Sequence, residues 1–247
     1  MSPGRTSTAS HDRIVGVQEL TLVLVHGAFH GPECFDLVRP FLDEQGVRTI
    51  APRLPLGTLD DDVAAVVATL DAVDGPKLLL GHSYGGAVVS QASAGRADVA
   101  ALTYLAALMP DEGESTGELV PEMMHSPIVP ALRATDDGRV EVDPALAHSI
   151  FYPDIDPVSA APWVARLRSG DPAGTAGRCG PVGWHDRPVW YVICEDDPII
   201  GAGLQRRFAE RARAHVLGIP GDHSPFIARP HELAETLVLI WNEVGVA

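Results

Sequence analysis

A serine with the surroundings of an acyl-transfer nucleophile lies in the segment GHSYG at positions 81–85. The segment follows the apolar run Lys77–Leu80 and precedes a helical pattern over Gly86–Ala94, which is the strand–turn–helix context of a nucleophile elbow. Glycines two positions before and after Ser83 let the neighbouring chain approach a strained turn. The pattern predicts a nucleophilic Ser83 Oγ at a helix N-terminus, where backbone amides favour developing negative charge. The alternative is a helix-capping serine.

A serine hydroxyl is a weak nucleophile and needs a base together with a group that orients the base. His223, in the loop GDHSP after the run Ala214–Ile219, is the best-placed histidine, and an exposed loop histidine is the alternative. The preceding run, Val189–Cys194, ends in three consecutive acids at positions 195–197. They cannot all point inward, and one of them would hold the imidazole tautomer. The chain order serine, acid, histidine is that of α/β-hydrolases.

The loop HGAFHG at positions 26–31 follows the first apolar run, Leu20–Val25. We expect an oxyanion hole made of the Ala28 and Tyr84 amides, each worth about 3 kcal/mol in the transition state. His26 and His30 have H-x3-H spacing, but a metal site of that spacing requires a helix and a third ligand. We therefore predict no metal, with His26 buried in the loop and His30 lining the pocket.

Short apolar runs alternate with helical patterns along the chain. Because the runs are almost continuously apolar, they indicate a parallel sheet covered on both faces, and hence an open α/β fold. The predicted strands are Leu20–Val25, Val47–Ala51, Lys77–Leu80, Ala101–Ala106, Val189–Cys194 and Ala214–Ile219. The predicted helices are Glu33–Glu44, Leu59–Val73, Gly86–Ala94, Gln205–Ala212 and Pro230–Val244.

The alternation stops after position 109, where prolines and glycines become frequent and no strong strand pattern is found. A structureless loop of that length is improbable in a compact domain. We therefore predict a flexible tail at 1–19, a core at 20–109 and 186–247, and an inserted cap at 110–185. We expect an apolar roof over the site, although ordinary core packing is the alternative for each residue. Its candidates are Phe29, Met109, Met123, Met124, Phe151 and Trp163.

Acidic residues outnumber basic ones, 33 to 18, for a net charge of −15. Such a surface repels phosphate backbones, which argues against nucleic acid or an anionic membrane as a partner. The longest apolar run, Val99–Met109, is shorter than the ~18 residues that a membrane-spanning helix needs. Three cysteines without a CxxC pair suit a reducing compartment. These features predict a cytoplasmic protein, and a homodimer is compatible with them.

Several segments together resemble the plant methylesterase and hydroxynitrile lyase branch of the α/β-hydrolases, which includes many bacterial esterase-like members. They are HGAFHG, GHSYGG, YLAALMPDEGES, FYPD, RPVWYVICEDDPI and GDHSPF. The resemblance implies an α/β-hydrolase fold with a cap, Ser83 as nucleophile and His223 as base. The family acid lies eight positions before a glutamine that opens the next helix, which gives Asp197 when counted from Gln205. Asp196 is the second choice and Glu195 the third.

Two departures bear on the reaction. Hydroxynitrile lyases of this branch carry a threonine at the position of Gly27 and a lysine at the position of Ser224. Without that lysine a departing cyanide has no cation to stabilise it. The resemblance therefore implies a serine hydrolase that cleaves an ester or lactone of a hydrophobic small molecule, without a cofactor.

Three alternatives remain open at this stage. One is a cofactor-free lyase, isomerase or cyclase of secondary metabolism on the same fold. The others are an editing thioesterase and a ligand receptor without catalytic activity.

Overall fold

The computed structural model describes residues 20–123 and 126–245. The predicted tail at 1–19 and the candidate Met124 lie outside the described residues. The described residues form eight strands, whose bounds are as follows. They are β1 (Thr21–Val25), β2 (Arg48–Ile50), β3 (Lys77–His82), β4 (Val99–Leu105), β5 (Leu132–Ala134), β6 (Val140–Val142), β7 (Val189–Cys194) and β8 (His215–Ile219).

Six of these strands form one parallel sheet in the order β2-β1-β3-β4-β7-β8. Each of the six falls on a predicted apolar run. Every residue of β1, β3 and β7 is buried, as expected for strands covered on both faces. The carboxyl ends of the strands therefore meet at one edge of the sheet, where open α/β folds place their ligands.

The described part of the chain contains ten α-helices, of which four lie in the segment between β4 and β7 and six lie after the other strands of the sheet. They are α1 (Arg39–Glu44), α2 (Leu59–Asp71), α3 (Gly85–Ala92), α4 (Ile128–Ala131), α5 (Pro144–Phe151), α6 (Pro157–Val164), α7 (Pro172–Ala176), α8 (Ala202–Arg211), α9 (Pro225–Ala228) and α10 (Pro230–Gly245). The predicted helix Glu33–Glu44 is divided into a 3-10 turn, Pro32–Phe35, and α1. Pro40 lies in the first turn of α1, the part of a helix that tolerates its missing N–H.

The segment between β4 and β7 contains α4 to α7, two 3-10 helices and an antiparallel hairpin of β5 and β6. Neither hairpin strand joins the six-stranded sheet. The hairpin was not predicted, because each strand has three residues and β5 is exposed throughout. Its turn ends at Gly138, whose φ of +81° favours glycine. The division into core and cap at positions 110 and 185 stays an interpretation.

Helix α2 begins with a reciprocal capping box. The Thr58 hydroxyl accepts a hydrogen bond from the Asp61 amide at 3.2 Å, and the Asp61 carboxylate accepts one from the Thr58 amide at 3.0 Å. Both bonds satisfy N–H groups that have no partner within the helix. None of the helices in 20–123 and 126–245 has the length and apolar character needed to span a bilayer.

Candidate active site

Ser83 occupies a strained turn between β3 and α3. Its φ is +53°, in the left-handed region that side chains other than glycine rarely adopt. A Cβ added at Gly81 would lie 2.6 Å from the Gly85 carbonyl oxygen, and one added at Gly85 would lie 2.7 Å from the oxygens of Val25 and His26. Only glycine fits at either position, as the sequence pattern predicts. The turn therefore depends on close backbone packing against the end of β1.

The loop after β1 also approaches the serine closely. A Cβ added at Gly27 would lie 2.8 Å from the Ser83 Cβ and 3.1 Å from the His82 Nδ1. The threonine that hydroxynitrile lyases carry at this position would need the loop or the elbow to shift. The Ser83 carbonyl oxygen accepts hydrogen bonds from the amides of Gly86 and Leu108, both at 3.0 Å. The serine backbone is thus held by its own helix and by the chain after β4.

Asp197 and His223 form a buried pair at the ends of β7 and β8. The His223 Nδ1–H donates to the Asp197 Oδ2 at 2.7 Å, and the two side chains are 1% and 0% exposed. The Asp197 Oδ1 accepts from the amides of Ile199 and Ile200 at 2.7 and 3.0 Å, and Gln205 donates to its Oδ2 at 3.1 Å. These donors fix the carboxylate, and its bond to Nδ1 leaves the His223 Nε2 as the proton acceptor.

The other two acids of the triplet point elsewhere. Asp196 is exposed, and its carboxylate accepts from the Gly221 amide at 3.1 Å. Glu195 is exposed and pairs with Arg206. Of the three, Asp197 is therefore the one that contacts His223, which matches the choice made by counting from Gln205.

His82, the residue before Ser83, ties the histidine loop to the elbow. Its Nε2–H donates to the His223 carbonyl oxygen at 2.9 Å, and the two imidazole rings lie 4.6 Å apart. Burial lowers the pKa of His82 well below its usual range, so the ring stays neutral. This contact brings His223 beside the residue that adjoins the candidate nucleophile.

The Ala28 and Tyr84 amides flank the same turn. No residue in the described ranges accepts a hydrogen bond from either N–H. Tyr84 lies at the N-cap of α3, where the helix leaves amides without partners. Phe29, the residue after Ala28, has a φ of +63°. Two unpaired amides beside a serine can stabilise an oxyanion.

His30 connects the loop after β1 to the cap. Its Nδ1–H donates to the Ala28 carbonyl oxygen at 3.2 Å, and its Nε2 accepts from the Tyr152 hydroxyl at 3.0 Å. Burial lowers the pKa of His30 to about 3, so the ring is neutral. His26 is fully buried in the same loop, as predicted; its Nδ1 bonds the Gly27 carbonyl, and its Nε2 accepts from the Leu54 amide at 3.1 Å. All four ring nitrogens of His26 and His30 therefore form hydrogen bonds with other groups of the protein.

An apolar cavity of about 160 Å³ is lined in part by the two residues proposed for the oxyanion hole. Ala28, Phe29 and Tyr84 line it, together with residues 56–57, Asp62 and part of the cap at 132, 140 and 170–175. His30 and Trp163 instead border a separate void of about 10 Å³. Met109 is 0% exposed and does not line the larger cavity. Of the candidates whose side chains the structure describes, which are Phe29, His30, Met109, Phe151 and Trp163, only Phe29 lines the cavity.

Asp62 and Tyr152 are polar residues of this region that sequence reasoning missed. Asp62 is the third of three consecutive aspartates at the start of α2, a position that acidic residues commonly occupy for helix stability. A buried position within the amphipathic pattern of α2 was the signal that could have separated it from its neighbours. Tyr152 lies in FYPD, one of the segments that carry the resemblance, and its residue type alone did not indicate a contact with His30.

Comparisons with known proteins agree with this architecture. Residues 22–236 match the model of the alpha/beta hydrolase family. A pyrethroid hydrolase from Sphingobium wenxiniae is 27% identical, covering 87% of this chain and 85% of its own. Methylesterase 9 from Arabidopsis thaliana is 23% identical, covering 88% and 96%.

The fold is also found in solved structures. The crystal structure of a pyrethroid hydrolase from Sphingobium faniae superposes with a TM-score of 0.80 at 24% identity, covering 90% of this chain and 98% of that one. This structure shows the shared fold, and the two curated relatives support an esterase-type enzyme. With the family match extending over residues 22–236, this chain belongs to the alpha/beta hydrolase family.

Proposed function

We propose that the protein is a serine hydrolase that cleaves a carboxylic ester or lactone of a hydrophobic small molecule through an acyl-enzyme. Ser83 is the nucleophile, His223 the base and Asp197 the group that orients it. The Ala28 and Tyr84 amides form the oxyanion hole. The buried Asp197–His223 hydrogen bond of 2.7 Å, next to the strained Ser83 turn, carries this proposal.

The reaction has two steps. The Ser83 Oγ attacks the carbonyl carbon while its proton passes to the His223 Nε2, and the carbonyl oxygen becomes an oxyanion between the two amides. Collapse of this intermediate breaks the bond to the alkoxy oxygen, which takes the proton from His223 and leaves as the alcohol. Water then repeats the sequence on the acyl-enzyme, which releases the acid and restores the serine.

Each group is suited to its role by its surroundings. Asp197 already accepts hydrogen bonds from two backbone amides and from Gln205, so its negative charge is stabilised without a neighbouring Lys or Arg. It stabilises the imidazolium that forms on His223. The apolar lining of the cavity supports an uncharged, hydrophobic acyl or alcohol group as the substrate portion held beside the amides.

The test is a panel of chromogenic acyl esters of graded chain length, assayed with the wild type and with Ser83→Ala. We expect turnover by the wild type and a loss of kcat of at least about 10⁴-fold in the variant. A chelator should leave the wild-type rate unchanged. Equal rates for the two proteins would contradict the proposal. Stoichiometric labelling of Ser83 by a phosphonylating agent without any ester turnover would instead favour the lyase, isomerase or cyclase alternative.

A further inference from the structure

Asp62 is a buried carboxylate in the wall of the cavity. It lies in the first turn of α2 and is 0% exposed. Its Oδ1 accepts a hydrogen bond from the Leu56 amide at 2.8 Å, and its Oδ2 accepts one from the Tyr84 hydroxyl at 2.9 Å. Asp62 is therefore hydrogen-bonded to the side chain of Tyr84, which is also the residue whose backbone amide would stabilise the oxyanion.

The helix does not need Asp62 for its N-terminal cap. Thr58 and Asp61 supply both halves of the capping box, and Asp60 and Asp61 are exposed on the same turn. Burying a carboxylate is unfavourable unless it is paired and hydrogen-bonded. Burial raises the pKa of Asp62, while hydrogen bonds from the Tyr84 hydroxyl and the Leu56 amide oppose this by favouring the charged form.

Among the described residues of the cavity wall, Asp62 has no ion-pair partner. No ion pair with Asp62 is found within the described residues. The described residues that line the cavity include two with carboxylate side chains, Asp62 and Asp171, and none of them is a Lys, Arg or His. Two guanidinium groups of the segment between β4 and β7 are directed to backbone oxygens of residues 54 and 56: Arg168 donates to the Leu54 carbonyl and Arg139 to the Leu56 carbonyl, both at 3.1 Å.

We propose that Asp62 makes this site select substrates whose cavity-bound group is uncharged and reject those in which that group carries a carboxylate. The inference rests on the proposed ester hydrolase function. An anionic group entering the cavity would lose its hydration next to a fixed negative charge of the same sign, in surroundings that screen charge poorly. A neutral group of the same shape meets no such penalty.

The experiment uses two pairs of esters that differ only in charge. In the first pair the charge lies in the alcohol: para-carboxyphenyl hexanoate and its neutral isostere, para-carbamoylphenyl hexanoate. In the second it lies in the acyl part: the mono(para-nitrophenyl) ester of adipic acid and the corresponding ester of adipic monoamide. Testing both pairs covers either orientation of the ester in the cavity.

The test variant is Asp62→Asn, and the matched control is Asp60→Asn. Asparagine at 62 keeps an oxygen for the Leu56 amide, and its NH2 can donate to the Tyr84 hydroxyl. The control removes the same unit of charge from an exposed position two residues away, so it reports any effect of the net charge of the protein. Binding of the intact esters to Ser83→Ala, with and without Asp62→Asn, gives a measurement that does not depend on turnover.

We expect the wild type to prefer the neutral ester in at least one pair by about tenfold or more in kcat/KM. The Asp62→Asn variant should reduce that ratio at least threefold, and Asp60→Asn should leave it within twofold of the wild type. Moderate salt should change the wild-type ratio little, because a buried charge is weakly screened. The Kd values for Ser83→Ala should show the same preference.

The outcomes separate the two proposals. Turnover that depends on Ser83 with equal ratios in the wild type and Asp62→Asn would overturn the selectivity and leave the hydrolase function standing. Charge-dependent binding that Asp62→Asn relaxes, without turnover of any ester, would overturn the hydrolase function and leave the selectivity standing. Neither binding nor turnover of any of the four esters would overturn both.

Discussion

Acid should destabilise this protein because of three histidines buried at the candidate site. Burial lowers the pKa of His26 to about 4 and of His30 to about 3, and it lowers that of His82 well below the usual value of 6.5. A lowered pKa means that the unfolded chain binds each proton at a higher pH than the folded protein does. Their contribution to stability is therefore present above pH 6.5 and is lost as the pH falls toward the folded values.

The size of the effect follows from these values. Between about pH 7.5 and 5.5 an unfolded histidine with a pKa of 6.5 goes from mostly neutral to mostly charged, while the folded ring stays neutral. The rings of His26 and His30 then each lower the free energy of unfolding by about 1.4 kcal/mol, or by about 3 kcal/mol together, and His82 acts in the same direction. Asp62 and Asp222 oppose this in the acid range, because burial raises their pKa values and protonation favours the folded state.

Urea unfolding followed by tryptophan fluorescence measures the change. We compare the wild type with His30→Gln, which keeps a donor for the Ala28 carbonyl or an acceptor for the Tyr152 hydroxyl but cannot titrate. Its loss of stability between the two pH values should be smaller by about 1.4 kcal/mol. His231→Gln is the control, because it removes an exposed histidine that is not one of the three buried rings. A His30→Gln variant with the full wild-type loss would refute the reasoning.

Three further predictions concern the site. Gly27→Ala should lower kcat for ester hydrolysis at least about tenfold, because its Cβ would lie 2.8 Å from that of Ser83; wild-type kcat would contradict the contact. Asp197→Asn should lower kcat by about 10³ to 10⁴-fold with little change in KM, because the amide no longer holds the His223 tautomer, and steady-state kinetics measures both. Tyr152→Phe should lower the free energy of unfolding by about 1 to 2 kcal/mol through loss of its bond to His30, and an unchanged urea midpoint would refute this.

The sheet and the elbow were predictable because their signals are local. An apolar run such as Val189–Cys194 must be buried on both faces wherever it lies in the fold, and the structure places a strand on those same residues. The glycines around Ser83 likewise report a turn that only they can adopt. The short β5–β6 hairpin escaped prediction because its exposed residues carry no pattern of burial.

The choice among the three acids after β7 illustrates the limit of local signals. Glu195, Asp196 and Asp197 are equivalent as carboxylates near a strand end. Asp197 faces His223 because the two amides after it bind its Oδ1, which leaves its Oδ2 to accept from His223 and from Gln205. The resemblance pointed to Asp197, but the residues alone left the choice open.

The sequence by itself predicted the succession of strands and helices along the chain, the serine turn and the histidine loop, because the residues that signal each of them lie within a few positions of one another. Only the tertiary structure decided which side chains line the cavity. It placed Asp62 in the wall and left Met109 and Trp163 away from it. The reason is that segments far apart in the chain bound the cavity, here the loop after β1, the start of α2 and the cap. These segments come together through tertiary packing, which cannot be predicted from a local sequence pattern.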